Sequence, residues 1–514
     1  MSRRAYFPSF VWNSIAKLGD FGFAYVFSVL LARMLAPEGY GTFASIMSVC
    51  TFVIVLASTG IDNTLHRFLG EASAHPDTGP RVSLLLRALG RARLALTACL
   101  VLAVFLGRGW IAARFQNPAM AGLVTSSLVY LAAQSLALFG ANALVGLLRT
   151  RAVAAFTTCF RLANIGLAVV MVRGGAGVPE IMLMLGGTSV ALAVAYAVVV
   201  VPLARGGLST ADLSPAFSFA RTSWVLAVVS FGLGRQTDVI LLNVLRHSQT
   251  EVALYDIAYS LAQTVPMVLT IGLTGIALTL FSKRYASRPD GLASIWRSFI
   301  VIVGGVTVPL FVFMIVNADA CVSIMYGTQY SGGGRLLVAY ALPTVIYWAL
   351  GGGASSTALH ASNRVKTVLA IRTVVGVLNV VVNVFLIRAW GAWGALVGTG
   401  VCGAAAGLAE LVAVATTARA APAVRHVPGL LAATAVGLAP SVLARPEGLA
   451  ALAAHGALFV VLFLATLRIL RPLPELDEGL AAALPARIAS LLSLFTARTA
   501  RRREPPRDPR QHSS

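Results

Sequence analysis

Lys17 and Asp20, and again Arg235 and Asp238, are a base and an acid three residues apart, each pair set inside a long apolar run. On a helix that spacing puts both members on one face. Asp62 and Arg67 fall within a third apolar run, and Arg161 and Arg372 each stand near the start of another. Two uses are open for them. Lys and Arg side chains attract phosphate-like anions, and guanidinium groups grip them bidentately. Asp20, Asp62 and Asp238 would then hold the bases when no anion is present, or bind a coupling H+ or Na+. Alternatively each pair is a static salt bridge between helices, and Arg67, Arg161 and Arg372 snorkel to a membrane surface. Asn142, Asn164, Asn379 and Asn383 add uncharged polar groups, the last two four apart and so on one face. They suit hydrogen bonding to a hydroxylated ligand, or bonding between helices.

The elements that position these groups must lie in a bilayer. The chain has 514 residues, 58% hydrophobic and 11% charged, with a mean hydropathy of +0.82. A soluble domain carries roughly 25% charged residues, so this chain is a polytopic membrane protein. An ionisable group at the bilayer centre costs at least ~2.5 kcal/mol unless it faces protein or water. That makes the intramembrane charges the informative residues.

Apolar runs of the roughly 20 residues a span needs fall near 10–35, 40–66, 84–107, 119–147, 153–173 and 180–203. A polar segment, "LARGGLSTADLSPAFS", divides the chain. A second set follows near 217–245, 252–282, 294–318, 335–360, 364–388 and 392–418, and two further runs at 427–444 and 449–470 bring the total to fourteen. The expected fold class is all-α. The expected units are an N-terminal six-helix bundle (1–203), a cytoplasmic linker (204–216), a second six-helix bundle (217–418), two additional spans (419–470) and a cytoplasmic tail (471–514). With the N-terminus in the cytoplasm, roughly nineteen basic residues fall in inner segments against eight in outer ones, as the positive-inside rule requires. Both termini are then cytoplasmic. The net charge of +21 fits anionic headgroups rather than nucleic acid.

The two sets echo each other. "LLARMLAPEGYGTFASI" ends one helix at Pro37 and Gly39 and opens the next; aligning Tyr40 with Tyr255 brings Gly60-Ile61 onto Gly275-Ile276 at the same offset of 215 residues, and Arg161 corresponds to Arg372. Six spans per half leave both halves in the same orientation, related by an axis along the membrane normal with a central cavity between them. Two bundles rocking about such a cavity are a transporter's architecture.

These residues also carry a resemblance. "LLARMLAPEGYGTFASI" followed by "STGIDNTLHRFLGE" resembles the first helical hairpin of polysaccharide transporters in the multidrug/oligosaccharidyl-lipid/polysaccharide (MOP) exporter superfamily, which includes O-antigen and other lipid-linked oligosaccharide flippases. "TDVILLNVLRHSQTEVALYDIAYSLA" resembles that family's seventh and eighth spans, and "LNVVVNVFLIRAWGAWGALVGTG" its eleventh and twelfth. The likeness covers roughly residues 10–418. It implies a MATE-like fold moving an isoprenoid-pyrophosphate-linked oligosaccharide from the inner to the outer leaflet. Lys17, Arg67, Arg161, Arg235 and Arg372 would form a cationic lumen for the pyrophosphate. It further implies a bacterial-type inner membrane, and a polysaccharide polymerase and glycosyltransferases as partners. The two spans after 420 depart from the many relatives with twelve and favour a lipid II flippase as the alternative. A cation-coupled drug antiporter of the same superfamily ranks third, since such pumps need acidic cavities.

No enzyme site emerges: the chain lacks a Gly-rich phosphate loop ending in Lys-Ser/Thr, HExxH and GxSxG. No outer loop is long enough for a polymerase's catalytic groups. Cys50, Cys99, Cys159, Cys321 and Cys402 lie far apart and read as small hydrophobes rather than metal or redox ligands. No resident cofactor is expected. Residues 476–497 place leucines at helical spacing for an interfacial amphipathic helix, with a basic disordered tail after it.

Overall fold

The computed structural model describes residues 19, 21–73, 78–206, 212–231, 234–287, 291–474, 477, 480 and 494–496. Lys17, Asp20 and nearly all of the 476–497 segment lie outside them. The described residues form helices throughout, apart from an isolated bridge between Leu473 and Thr496.

The first half comprises α1 (Phe21–Met34), α2 (Pro37–Ser73), α3 (Thr78–Arg114), α4 (Ala119–Gly146), α5 (Thr150–Arg173) and α6 (Val178–Ala204). The second comprises α7 (Ser214–Phe231), α8 (Arg235–Arg246), α9 (Gln249–Ser287), α10 (Gly291–Val316), a short α11 (Ala318–Tyr326), α12 (Gly333–Ala349), α13 (Ala354–Ala361) and α14 (Val365–Ala418). Two further helices follow, α15 (Val427–Leu443) and α16 (Leu449–Leu470). Eight helices are by themselves long and apolar enough to cross a bilayer, and the pair α12–α13, bent by 41°, makes a ninth. Within α14 two helices are merged across a kink at Gly391, and α1 and α15 are shorter apolar helices.

Local chemistry sets the breaks. Pro37 opens α2, where its missing N–H is no loss. The bend between α12 and α13 falls on "GGG" at 351–353, with Gly351 and Gly352 both at positive φ. In α14 the break is Gly391, at φ 59° and ψ −136°. The chain reverses there: the Asn383 amide donates to Thr399 Oγ1 at 2.9 Å, across sixteen residues that would span about 24 Å in a straight helix. Glycine suits the turn because φ 59° with ψ −136° is strained for any residue carrying a Cβ, which here would also have to displace the Glu251 carboxylate.

One core is shared by both halves at the end of the bundle that carries the 35–36 turn, and includes Leu31, Tyr40, Ile46, Leu242, Tyr255, Ile257 and Leu337. Toward the other end each half has its own core, around Leu65, Leu144 and Tyr196 in the first and Phe281, Trp296 and Leu359 in the second. At the turn end the halves are also interlocked by polar contacts. Gln329 and Tyr330 both donate to the Ala32 carbonyl at 2.8 Å. Arg33 donates to the Met325 carbonyl at 2.7 Å and to that of Ile324, the last carbonyls of α11. Buried Ser45, Asn243 and Gln249 close a ring of hydrogen bonds of 2.8 to 3.1 Å. The backbones meet where a Cβ on Gly41 would lie 1.8 Å from the Gln249 carbonyl oxygen. Val170, Val198, Leu106, Phe385 and Val461 point outward, as lipid contact demands.

Candidate substrate cavity

A cavity of about 660 Å³ lies between the halves. The first half lines it from α1 (Phe21, Tyr25, Ser28), α2 (Tyr40, Phe43), α4 (Tyr130, Gln134) and α5 (Phe160, Arg161, Asn164); the second does so from the start of α8 (Arg235, Gln236), from α9 (Asp256, Tyr259, Gln263) and from Trp348. Two arginines, one carboxylate, several amides and many aromatic rings make the wall cationic and amphipathic. Guanidinium groups suit a phosphate, and aromatic faces with amides suit a hydroxylated ring. A smaller cavity of about 230 Å³ shares Tyr259, Gln263 and Trp348 with it and reaches Tyr347, Arg372 and Thr399.

Arg235 sits on the first turn of α8, directly after the N-cap Gly234, and its side chain lines the cavity. It is ion-paired with Asp256 of α9, and the two side chains are 31% and 0% exposed. Tyr40, from the first half, donates to Asp256 Oδ2 at 2.8 Å. The Arg235 Nε is buried and has no hydrogen-bond partner.

The expectation that Asp238 holds Arg235 is corrected by this geometry. Asp238 is fully buried. It accepts hydrogen bonds from Thr399 (2.6 Å), Tyr255 (2.7 Å) and Asn383 (2.7 Å). A carboxylate saturated by three neutral donors has no need of the arginine one turn away, whose nearer anion is Asp256. Asn383 and Asn379 are both fully buried, and they join this cluster through Thr399 and each other. The same helical face thus brings Asn379 and Asn383 to Asp238, not to the main cavity.

The other residues divide. Arg161 and buried Asn164 line the cavity, and Asn164 accepts from Thr188 at 2.7 Å. Arg372 lines the smaller cavity, its Nε donating to buried Glu410 at 2.8 Å. Asp62 pairs with Arg93 at 3.3 Å, and Arg93, fully buried, also donates to Ser135 and to the Ala57 carbonyl. Asn142 bonds His66 at 3.0 Å. Arg67 is exposed, pairs with Glu71 at 3.1 Å and stacks on Phe219. None of Arg67, Asp62 and Asn142 is among the residues lining the main cavity.

Three charged groups went unnoticed in the sequence as interior partners: Asp256, Glu410 and Arg93. Each lies inside an apolar run, in the eighth, twelfth and third spans respectively. The criterion that singled out Arg235 and Asp238 applies equally to them.

Residues 8–283 match the family described as "Polysaccharide biosynthesis protein". No curated protein matches the chain. Among solved structures, the lipid II flippase MurJ in an inward closed conformation superposes with a TM-score of 0.70 at 13% identity, covering 90% of this chain and 98% of that one. An inward-facing multidrug resistance MATE family transporter of the MOP superfamily gives 0.60 at 13% identity, over 77% and 94%. The Vibrio cholerae MATE transporter VcmN in its bent form gives 0.54 at 14%, over 81% and 97%. At such identities the likeness is one of fold.

Proposed function

Since the chain belongs to the polysaccharide biosynthesis protein family and has the fold of the MOP-superfamily membrane transporters, we propose that it is a flippase for an isoprenoid-pyrophosphate-linked oligosaccharide. The observation that carries the reading is the cavity between the halves, with Arg161 and Arg235 facing it from opposite sides among aromatic rings and amides. Arg235, with a vacant Nε donor, takes a phosphate group. The glycan lies against Tyr25, Tyr130 and Tyr259, while the isoprenoid stays among the lipids. Rocking of the two halves exposes the head first to one leaflet and then to the other. This is transport and not chemistry on the sugar.

The charge asymmetry supports an inner membrane with cytoplasmic termini, so that the turn end of the bundle faces outward. The interlock of Arg33, Gln329 and Tyr330 then closes the outer side. Asp238, with Asn379, Asn383 and Thr399 around it, is the proposed seat of a coupling H+ or Na+. Glycosyltransferases and a polymerase would supply and consume the cargo.

A second reading, a lipid II flippase, is favoured by one observation: the likeness to MurJ extends over 90% of this chain. Depletion of the protein separates the two. An isoprenoid-linked oligosaccharide accumulating on the cytoplasmic leaflet, with wall synthesis intact, is the expected result. Accumulated lipid II with lysis would establish the second reading, and accumulation of neither would overturn both.

A further inference from the structure

Asp256 is an odd residue to find in a cavity built for an anion. Its carboxylate is fully buried and occupies the arginine that a phosphate would need. Among the described residues, charged and titratable groups surround it from several helices. Arg235 comes from α8 and Tyr40 from α2. Tyr326 and Tyr330 stand behind Tyr40, with ring centroids 6.3 Å apart from Tyr40 to Tyr330 and from Tyr330 to Tyr326. Tyr255 and Tyr259 flank it on its own helix, and the Tyr255 hydroxyl is committed to Asp238. Among the described residues Arg235 is the cation paired with it, Arg161 faces the same cavity from the first half, and the phenols are neutral.

We propose that Asp256 is the cavity's resident counter-anion, and that it takes up a proton when a phosphate group replaces it on Arg235. The inference rests on the flippase reading above and adds to it the way in which cargo and proton are linked. Phosphate oxygens bind Arg235 bidentately through Nε, now vacant, and the Nη2 that holds Asp256. The displaced carboxylate is left in a buried site with only the Tyr40 hydroxyl as donor. A buried charge without its partner is strongly disfavoured and neutralises instead. A proton from water in the cavity makes it a carboxylic acid, which keeps its bond with Tyr40. Arrival of a phosphate therefore draws in a proton, and departure releases it. Asp238 takes no part in this exchange, because its own three donors stay in place whether or not Arg235 is occupied; as the proposed seat of the driving ion it is a separate site.

The test is calorimetry of inorganic pyrophosphate binding to the full-length protein in nanodiscs, from pH 6 to pH 8, with Asp256→Asn as the comparison. Titration of pyrophosphate itself is common to both proteins and cancels between them. The wild-type Kd is expected to rise with pH by up to about tenfold per unit more steeply than that of Asp256→Asn. The variant, lacking the competing anion, binds more tightly at pH 8. A second measurement needs no variant: adding pyrophosphate to lightly buffered wild-type protein should consume protons in excess of those pyrophosphate itself releases or binds. Equal pH slopes in the two proteins, or no excess proton uptake, overturn the exchange while leaving the cavity reading intact. Absence of pyrophosphate binding to either protein overturns both.

Discussion

The Tyr40 hydroxyl of the first half donates a 2.8 Å hydrogen bond to the buried carboxylate of Asp256 in the second. It spans the interface at the cavity wall, next to Arg235. Replacing Tyr40 by Phe removes one donor from a charged acceptor and leaves the ring's packing in place. A loss of about 1.5–3 kcal/mol is expected, read as a lowered Tm of the purified protein. An unchanged Tm would mean that this bond does not tie the halves together.

Arg235→Ala should abolish export, and it should also destabilise the fold by about 3–5 kcal/mol, because Asp256 is left buried without its partner. The double variant Arg235→Ala/Asp256→Asn separates the two effects. It should recover most of the stability and none of the transport, measured by Tm and by glycan export in cells. Export by the double variant would remove Arg235 from the site.

Asp238→Asn keeps the shape of the side chain but offers one acceptor oxygen to three donors, from Tyr255, Thr399 and Asn383. At least one buried donor is left unsatisfied, at about 1–3 kcal/mol. If Asp238 also seats the coupling ion, transport in proteoliposomes should lose its dependence on an imposed ion gradient. Gradient-dependent transport in this variant would place coupling elsewhere.

Gly41→Val should force α2 away from α9, since even a Cβ would lie 1.8 Å from the Gln249 carbonyl oxygen. Overpacking of this kind costs about 1–3 kcal/mol. Gly39→Ala, whose nearest neighbour would be at 3.7 Å, is the control and should leave Tm nearly unchanged.

Burial pushes the imidazole of His426, just before α15, below its ordinary value. The fold therefore holds it neutral. Its contribution to stability is complete above the unfolded value of about 6.5 and is lost as pH falls through the lower folded one. Wild-type Tm should drop between pH 7 and pH 5 more than that of His426→Leu. Parallel curves would contradict this.

Much of the architecture was legible in the sequence because apolar run length and breaks at Pro37 and Gly391 are local signals. The boundary between the eleventh and twelfth runs, near 388–392, falls on the residue where α14 turns. Partner choice was not legible. Three-residue spacing on α8 puts Arg235 and Asp238 near one another, yet α9 supplies Asp256 to one, and α14 supplies Asn383 and Thr399 to the other. Which acid meets which base depends on how helices far apart in sequence cross. The same holds for Asp62, whose partner Arg93 comes from the neighbouring span.

The one-residue reversal at Gly391 also bears on how the protein is made. The amides of Asn379 and Asn383 would be stranded in hydrocarbon if the eleventh pass entered the membrane by itself. With no loop to thread, the two arms of α14 can leave the insertion machinery as one unit. Asn383 then finds Thr399 inside the hairpin. A longer linker at this point would expose those amides to lipid during synthesis, so the shortness of the turn serves assembly as well as the finished fold.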